Sequence, residues 1–211
     1  KELAEKIAEL MPQFGYDKQR FGWYDVVDRV VKPGQKFHRY AWHDRKAWWQ
    51  QEQGILAYFI LQGLFPDNKN YEKYADESAA FYNSFFLDNS DGGVYFNVLA
   101  NGMPYLLGTE RFKGSHSMSA YHSTELCFLS TIYIDLMTNK RPLDLYFSPL
   151  PGGFKDNILR VSPDILPKGS VKLTGCEING ENYSDYDSNQ LHVHLPHSAD
   201  RLKVKVTLTP V

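Results

Sequence analysis

The sequence predicts a mainly α-helical chain that ends in a small all-β domain. Three observations lead there. Apolar residues recur at helical spacing through the first two thirds of the 211 residues, and helix-stop signals divide those segments. After Pro142 the helical period gives way to short alternating runs between prolines and glycines. The expected boundaries are 1–142 for the helical part and 143–211 for the β part.

Taken in order, residues 1–13 set Leu3, Ile7 and Leu10 on one face of an amphipathic helix, and Gly15 stops it. The stretch from Gly22 to Pro33-Gly34 reads as a polar-aromatic loop or short hairpin. A second helix is expected from about residue 44 to 64, with Trp48, Ile55, Leu56, Phe59, Ile60 and Leu64 as its apolar set and Gly63 and Pro66 closing it. A third, from about 70 to 87, carries Tyr74, Ala75, Ser78, Phe81, Tyr82 and Phe85. Asn101-Gly102 between two apolar-aromatic runs is a strong hairpin signal. The fourth helix runs from about 119 to 137. Beyond it, alternating segments fall at 156–162, 170–178, 190–195 and 201–209, with Asn179-Gly180 as another hairpin turn. The chain opens inside a helical pattern without a methionine, so an upstream portion is expected.

Composition narrows the function classes. The 23 basic and 25 acidic residues nearly balance, which points to neither nucleic acid nor an anionic membrane surface. No apolar run is long enough to span a bilayer. Cys127 and Cys176 provide neither a disulfide framework nor metal-ligand spacing, and both read as small buried hydrophobes. His192 and His194 would share one face of a strand, yet no cysteine or acidic cluster beside them completes a metal set. No metal or other cofactor is expected.

Two stretches carry candidate chemistry. In Lys46-Ala-Trp-Trp-Gln-Gln-Glu-Gln-Gly54, adjacent tryptophans on a helix point about 100° apart, so one can pack inward while the other lines a cavity. Gln51 and Glu52 follow with groups able to bind hydroxyls. Sugar sites combine an aromatic face with fixed polar groups, but two core tryptophans beside a solvated polar face would look the same. In the second stretch, Lys113 and His116 precede Tyr121-His122, and Glu125 lies on the same helix face as His122. A carboxylate beside an imidazole can tune a proton-transfer base. A purely structural pair has the same spacing.

In order along the chain, Trp48-Trp49-Gln50-Gln51, then Asp91-Gly92-Gly93 with its hairpin, then Lys113-Gly114 and Tyr121-His122 resemble the C-terminal half of the N-acylglucosamine 2-epimerase superfamily. The likeness covers roughly residues 1–140. It implies part of an (α/α)6 toroid of helical hairpins and a sugar epimerase or isomerase acting on a mono- or disaccharide. It also implies His122 as the terminal catalytic histidine with Glu125 beside it. Trp48, Trp49, Gln51, Glu52, Lys113, His116 and Tyr121 would then form the sugar site. The family's arginine three residues after this histidine is replaced by Glu125. Its glutamate after the paired tryptophans is displaced to Glu52, with Gln53 in its place. The other family histidine, in a His-x-x-Glu helix, does not occur in residues 1–47, so the missing N-terminal half of the toroid would supply it. Two rivals remain open. One is a toroid glycoside hydrolase or polysaccharide lyase using Glu52, Asp91 and Glu125, and the other is a non-catalytic carbohydrate-binding protein.

Overall fold

The computed structural model describes residues 2–107, 113, 118–163 and 165–211. The chain divides into two compact units, Lys1–Ser130 and Thr131–Val211. About a third of it (33%) is helical and 22% is strand, so the mainly-α expectation is corrected to a mixed α and β content. Most of the strand lies in residues 143–211, where strands are expected, and only residues 41–47, read as loop or helix, are drawn into a strand by a distant partner.

The first unit is built on α1 (Glu2–Phe14), α2 (Trp48–Leu64), α3 (Lys69–Phe85) and α4 (Ala120–Ile132). Asn68 starts α3 by accepting a hydrogen bond from the Asn70 N–H, a side-chain cap on an otherwise unpaired donor. The short link between α2 and α3 makes them a helical hairpin. Their facing residues bury two aromatic clusters. One gathers Tyr16, Trp23, Tyr58, Leu61 and Tyr71, and the other Trp48, Ile55, Phe81, Tyr82 and Phe86.

Two expectations change here. Residues 44–47 are strand rather than helix: β1 (Ala41–Ala47) pairs antiparallel with β2 (Asn97–Leu99), matching Lys46 to Val98. That pairing also starts α2. The Trp48 N–H, which a helix leaves unpaired, donates to the Phe96 carbonyl at 2.9 Å, and Ala47 supplies no side-chain cap. Helix α1 forms where expected, but its Leu3, Ile7 and Leu10 stripe is exposed and the helix buries Ala8 and Pro12 instead. Tyr58 fastens it by donating to the Ala8 carbonyl at 2.7 Å.

Close packing dictates one residue in α2. A Cβ on Gly54 would collide with the indole of Trp23, so only glycine lets that ring lie across the helix. The indole then stacks on Tyr58 with centroids 5.3 Å apart. Beneath the Trp23 loop, Lys46 and Asp17 form a buried ion pair at 2.9 Å, with the ammonium also 3.8 Å over the Phe81 ring.

The second unit opens with a π-helical turn, Tyr133–Thr138, followed among the described residues by seven strands. Strands β3 (Leu143–Phe147), β9 (Val204–Pro210), β5 (Val171–Ile178) and β6 (Glu181–Asn182) form one antiparallel sheet in that order. Strands β4 (Ile158–Arg160), β8 (His192–His194) and β7 (Tyr186–Asp187) form the other. Asn179 and Gly180 both take positive φ, 54° and 87°, as a two-residue hairpin turn requires. Leu173, Val193, Val206 and Leu208 are fully buried in this unit. Cys176 is buried as expected, whereas Cys127 in α4 is exposed, a correction to its reading as a core residue.

Candidate functional site

The start of α2 and the first turns of α4 meet around His122. The 100° step between neighbouring helix positions separates the tryptophans: Trp48 is buried in the aromatic core and Trp49 is 41% exposed. Both rings stay near the imidazole, with centroids 6.2 Å and 6.1 Å away, and the Tyr121 ring lies edge-on at 5.0 Å. Tyr121 itself is largely exposed. An aromatic wall therefore surrounds a partly open histidine.

The polar partners differ from what sequence spacing indicates. His122 Nδ1 and Glu125 Oε2 are 3.8 Å apart, too far for a direct hydrogen bond. Gln53 stands beside both. Its Nε2 donates to Glu125 Oε2 at 2.7 Å and lies 3.3 Å from His122 Nδ1. The Tyr121 hydroxyl donates to the other carboxylate oxygen of Glu125 at 3.3 Å. Gln53 was absent from the expected site residues. The signal was present, because Gln53 follows the exposed Trp49 by one helical turn.

Glu52 faces the opposite way, into the protein. It is fully buried, and its Oε1 accepts hydrogen bonds from Tyr82 and Ser123, each at 2.5 Å. Among the described residues its Oε2 has no hydrogen-bond partner. Burial pushes this carboxyl up from its ordinary value, against the hydrogen bonds from Ser123 and Tyr82, which pull it down. Glu52 is thus a buried strut that joins α2 to the residue after His122, not a group open to a sugar.

Gln51 is likewise fully buried. Its Oε1 accepts from the Trp23 N–H at 2.7 Å, and its Nε2 donates to the carbonyls of Trp23 at 2.7 Å and Ala47 at 3.2 Å. Both N–H bonds of the amide are taken, so it pins the Trp23 loop and is not a hydroxyl-binding group. Lys113 donates to Asp88 Oδ2 at 2.8 Å and to the Gly92 carbonyl at 2.9 Å, while Tyr95 also donates to Asp88. The Lys113 ammonium, helped by the Asp91 and Ser90 N–H groups, holds Asp88 well below the usual carboxylate range, and the same bonds lock the turn that contains Asp91-Gly92-Gly93. His116 lies outside the described residues.

Among the described residues, no group of three or more His, Cys, Asp or Glu side chains is placed to hold a metal ion. His194 instead pairs with Asp185 at 2.8 Å. Among the same residues no helix is long and apolar enough to cross a membrane.

No protein-family model matches the chain, and no curated protein matches it. Solved structures of sugar isomerases and epimerases resemble it over part of its length. A D-mannose isomerase is 17% identical, with a TM-score of 0.48, over 61% of this chain and 29% of that one. The cellobiose 2-epimerase of Bacillus thermoamylovorans B4167 is 19% identical, with a TM-score of 0.43, over 62% and 29%. The cellobiose 2-epimerase of Spirochaeta thermophila DSM 6192 is 15% identical, with a TM-score of 0.36, over 66% and 36%. The chain spans 29% of the first two proteins and 36% of the third.

Proposed function

We propose that this chain is part of a sugar epimerase or isomerase in which His122 transfers a proton to or from a saccharide. On this reading residues 1–142 are the C-terminal part of an α/α toroid and residues 143–211 an appended β domain. One observation carries the proposal: a partly open histidine sits between an exposed tryptophan and an exposed tyrosine, with a carboxylate and an amide on its Nδ1 side. Aromatic faces take the apolar face of a pyranose, and an imidazole handles protons near neutral pH.

The reaction is proton abstraction from the carbon next to the sugar carbonyl, passage through an enediolate, and reprotonation on the other face. Inversion at one carbon needs two proton-transfer groups, one per face. His122 is one of them. The second comes from the part of the toroid outside this chain, so the 211 residues alone do not epimerise sugars.

A carboxylate-pair hydrolase fits less well. Glu52 is buried and already accepts two hydroxyl bonds, so it cannot reach a glycosidic oxygen.

Titrating the labelled chain with mannose, cellobiose and N-acetylmannosamine tests the binding half of the proposal. At least one sugar should shift the Trp49 indole and His122 ring resonances, and Trp49→Ala should abolish the effect. If no saccharide perturbs either residue, the sugar reading is wrong. For the catalytic half, a longer polypeptide including any upstream coding sequence should exchange the sugar C2 proton in D2O. His122→Asn should remove that exchange, and epimerisation by the isolated chain would refute the two-part site.

A further inference from the structure

We propose that Gln53 is a positioning residue that fixes the tautomer of His122, keeping the ring proton of the neutral imidazole on Nε2. This rests on the reading of His122 as the group that handles the substrate proton.

The inference begins at Glu125. A carboxylate only accepts hydrogen bonds, so the end of the Gln53 amide 2.7 Å from Oε2 has to be its NH2 group. Turning the amide over would set its carbonyl oxygen against the carboxylate oxygen at the same distance. Amide orientation is ordinarily assigned from the surrounding network, and here the carboxylate decides it. The same nitrogen lies 3.3 Å from His122 Nδ1 and has a second hydrogen to give. Two N–H donors cannot share one hydrogen bond. Nδ1 therefore presents its lone pair, and the proton of the neutral ring sits on Nε2.

This reverses the arrangement that the His122/Glu125 spacing indicates. With Nδ1–H pointing at Glu125, Nε2 would be free to act as a base. With Gln53 in place, the resting ring offers Nε2–H and meets a sugar first as a hydrogen-bond donor to an oxygen. A neutral imidazole in that state polarises a carbonyl without giving up its proton. To become a base at Nε2, the ring must lose that proton to water and gain one at Nδ1, with no net change in charge. Glu125 Oε2, 3.8 Å from Nδ1, is the acceptor for the new N–H once Gln53 turns away. Gln53 is thus the element that separates the donor and base forms of His122.

Long-range proton–nitrogen correlation spectra of the labelled chain report the tautomer directly. They are recorded at about pH 8, above the ordinary imidazole pKa of about 6.5. Loss of signals in His122→Gln identifies the ring. The native spectrum should show Nδ1 at the unprotonated end of the imidazole range and Nε2 at the protonated end. Gln53→Glu, which can only accept, should invert the pattern, and Gln53→Met should leave a mixture. A native ring protonated at Nδ1 overturns the proposal, as does an unchanged pattern in folded Gln53→Glu and Gln53→Met. The native spectrum suffices for the first point should a variant fail to fold. Sugar turnover does not enter this readout, so a failed epimerase reading and a failed tautomer assignment give different results.

Discussion

The Ser123 hydroxyl donates to Glu52 Oε1 at 2.5 Å, so the residue immediately after His122 is tied to a carboxyl in the second turn of α2. The bond spans 71 residues of sequence and fixes how the first turn of α4 approaches the tryptophan pair. Tyr82 donates to the same oxygen from α3, so three helices meet at one buried group.

Glu52 should give the protein a measurable pH slope. Burial raises its folded-state pKa, so the folded chain holds this proton to higher pH than the unfolded chain does. Stability therefore falls as pH rises from the unfolded carboxyl value, about 4.3, through the folded one, and this group adds no slope outside that window. Urea unfolding of the native chain and Glu52→Gln across the window should differ by that slope. Parallel curves would show that the carboxyl is not desolvated. Ser123→Ala should cost about 1–3 kcal/mol, because it removes a hydrogen bond to a buried carboxyl.

The Lys46–Asp17 pair should be strongly non-additive. Burial lowers the Lys46 ammonium to about 8, although Asp17 pulls it upward. Burial also pushes Asp17 up, but the Lys46 hydrogen bond and charge, with two backbone N–H bonds, outweigh it and leave Asp17 below its ordinary value. Asp17→Asn strands a buried ammonium and should destabilise by about 3–5 kcal/mol. Asp17→Asn combined with Lys46→Met removes both charges and should recover most of that loss. A double variant as unstable as the sum of the two single changes would contradict the pairing.

Gly54→Ala should cost about 1–3 kcal/mol despite the better helix propensity of alanine. The new methyl meets the Trp23 indole, which must leave its stack on Tyr58. Thermal unfolding measures the loss, and a shift in tryptophan emission reports the displaced ring. A variant as stable as the native chain, with unchanged emission, would show that the loop can move aside without cost.

Much of the architecture was legible from local signals. Helices α1 to α4 follow the apolar period, Asn68 caps α3, and the Asn-Gly pairs turn where positive φ is needed. The inward and outward tryptophans follow from helix geometry alone. Strand β1 was not legible, because its partner β2 begins fifty residues further on and nothing in residues 41–47 announces the pairing.

The candidate site divides along the same line. By itself the sequence determined which residue types sit near one another on a helix: the tryptophan pair, and His122 with Glu125 one turn apart. Only the tertiary structure decided which polar groups remain open. It buried Gln51 under the Trp23 loop, made Glu52 a strut between helices and joined Lys113 to Asp88. It also set Gln53 beside the His122/Glu125 pair across 69 and 72 residues of chain. Helical period is a local property, whereas the partner of a side-chain amide depends on how distant segments pack.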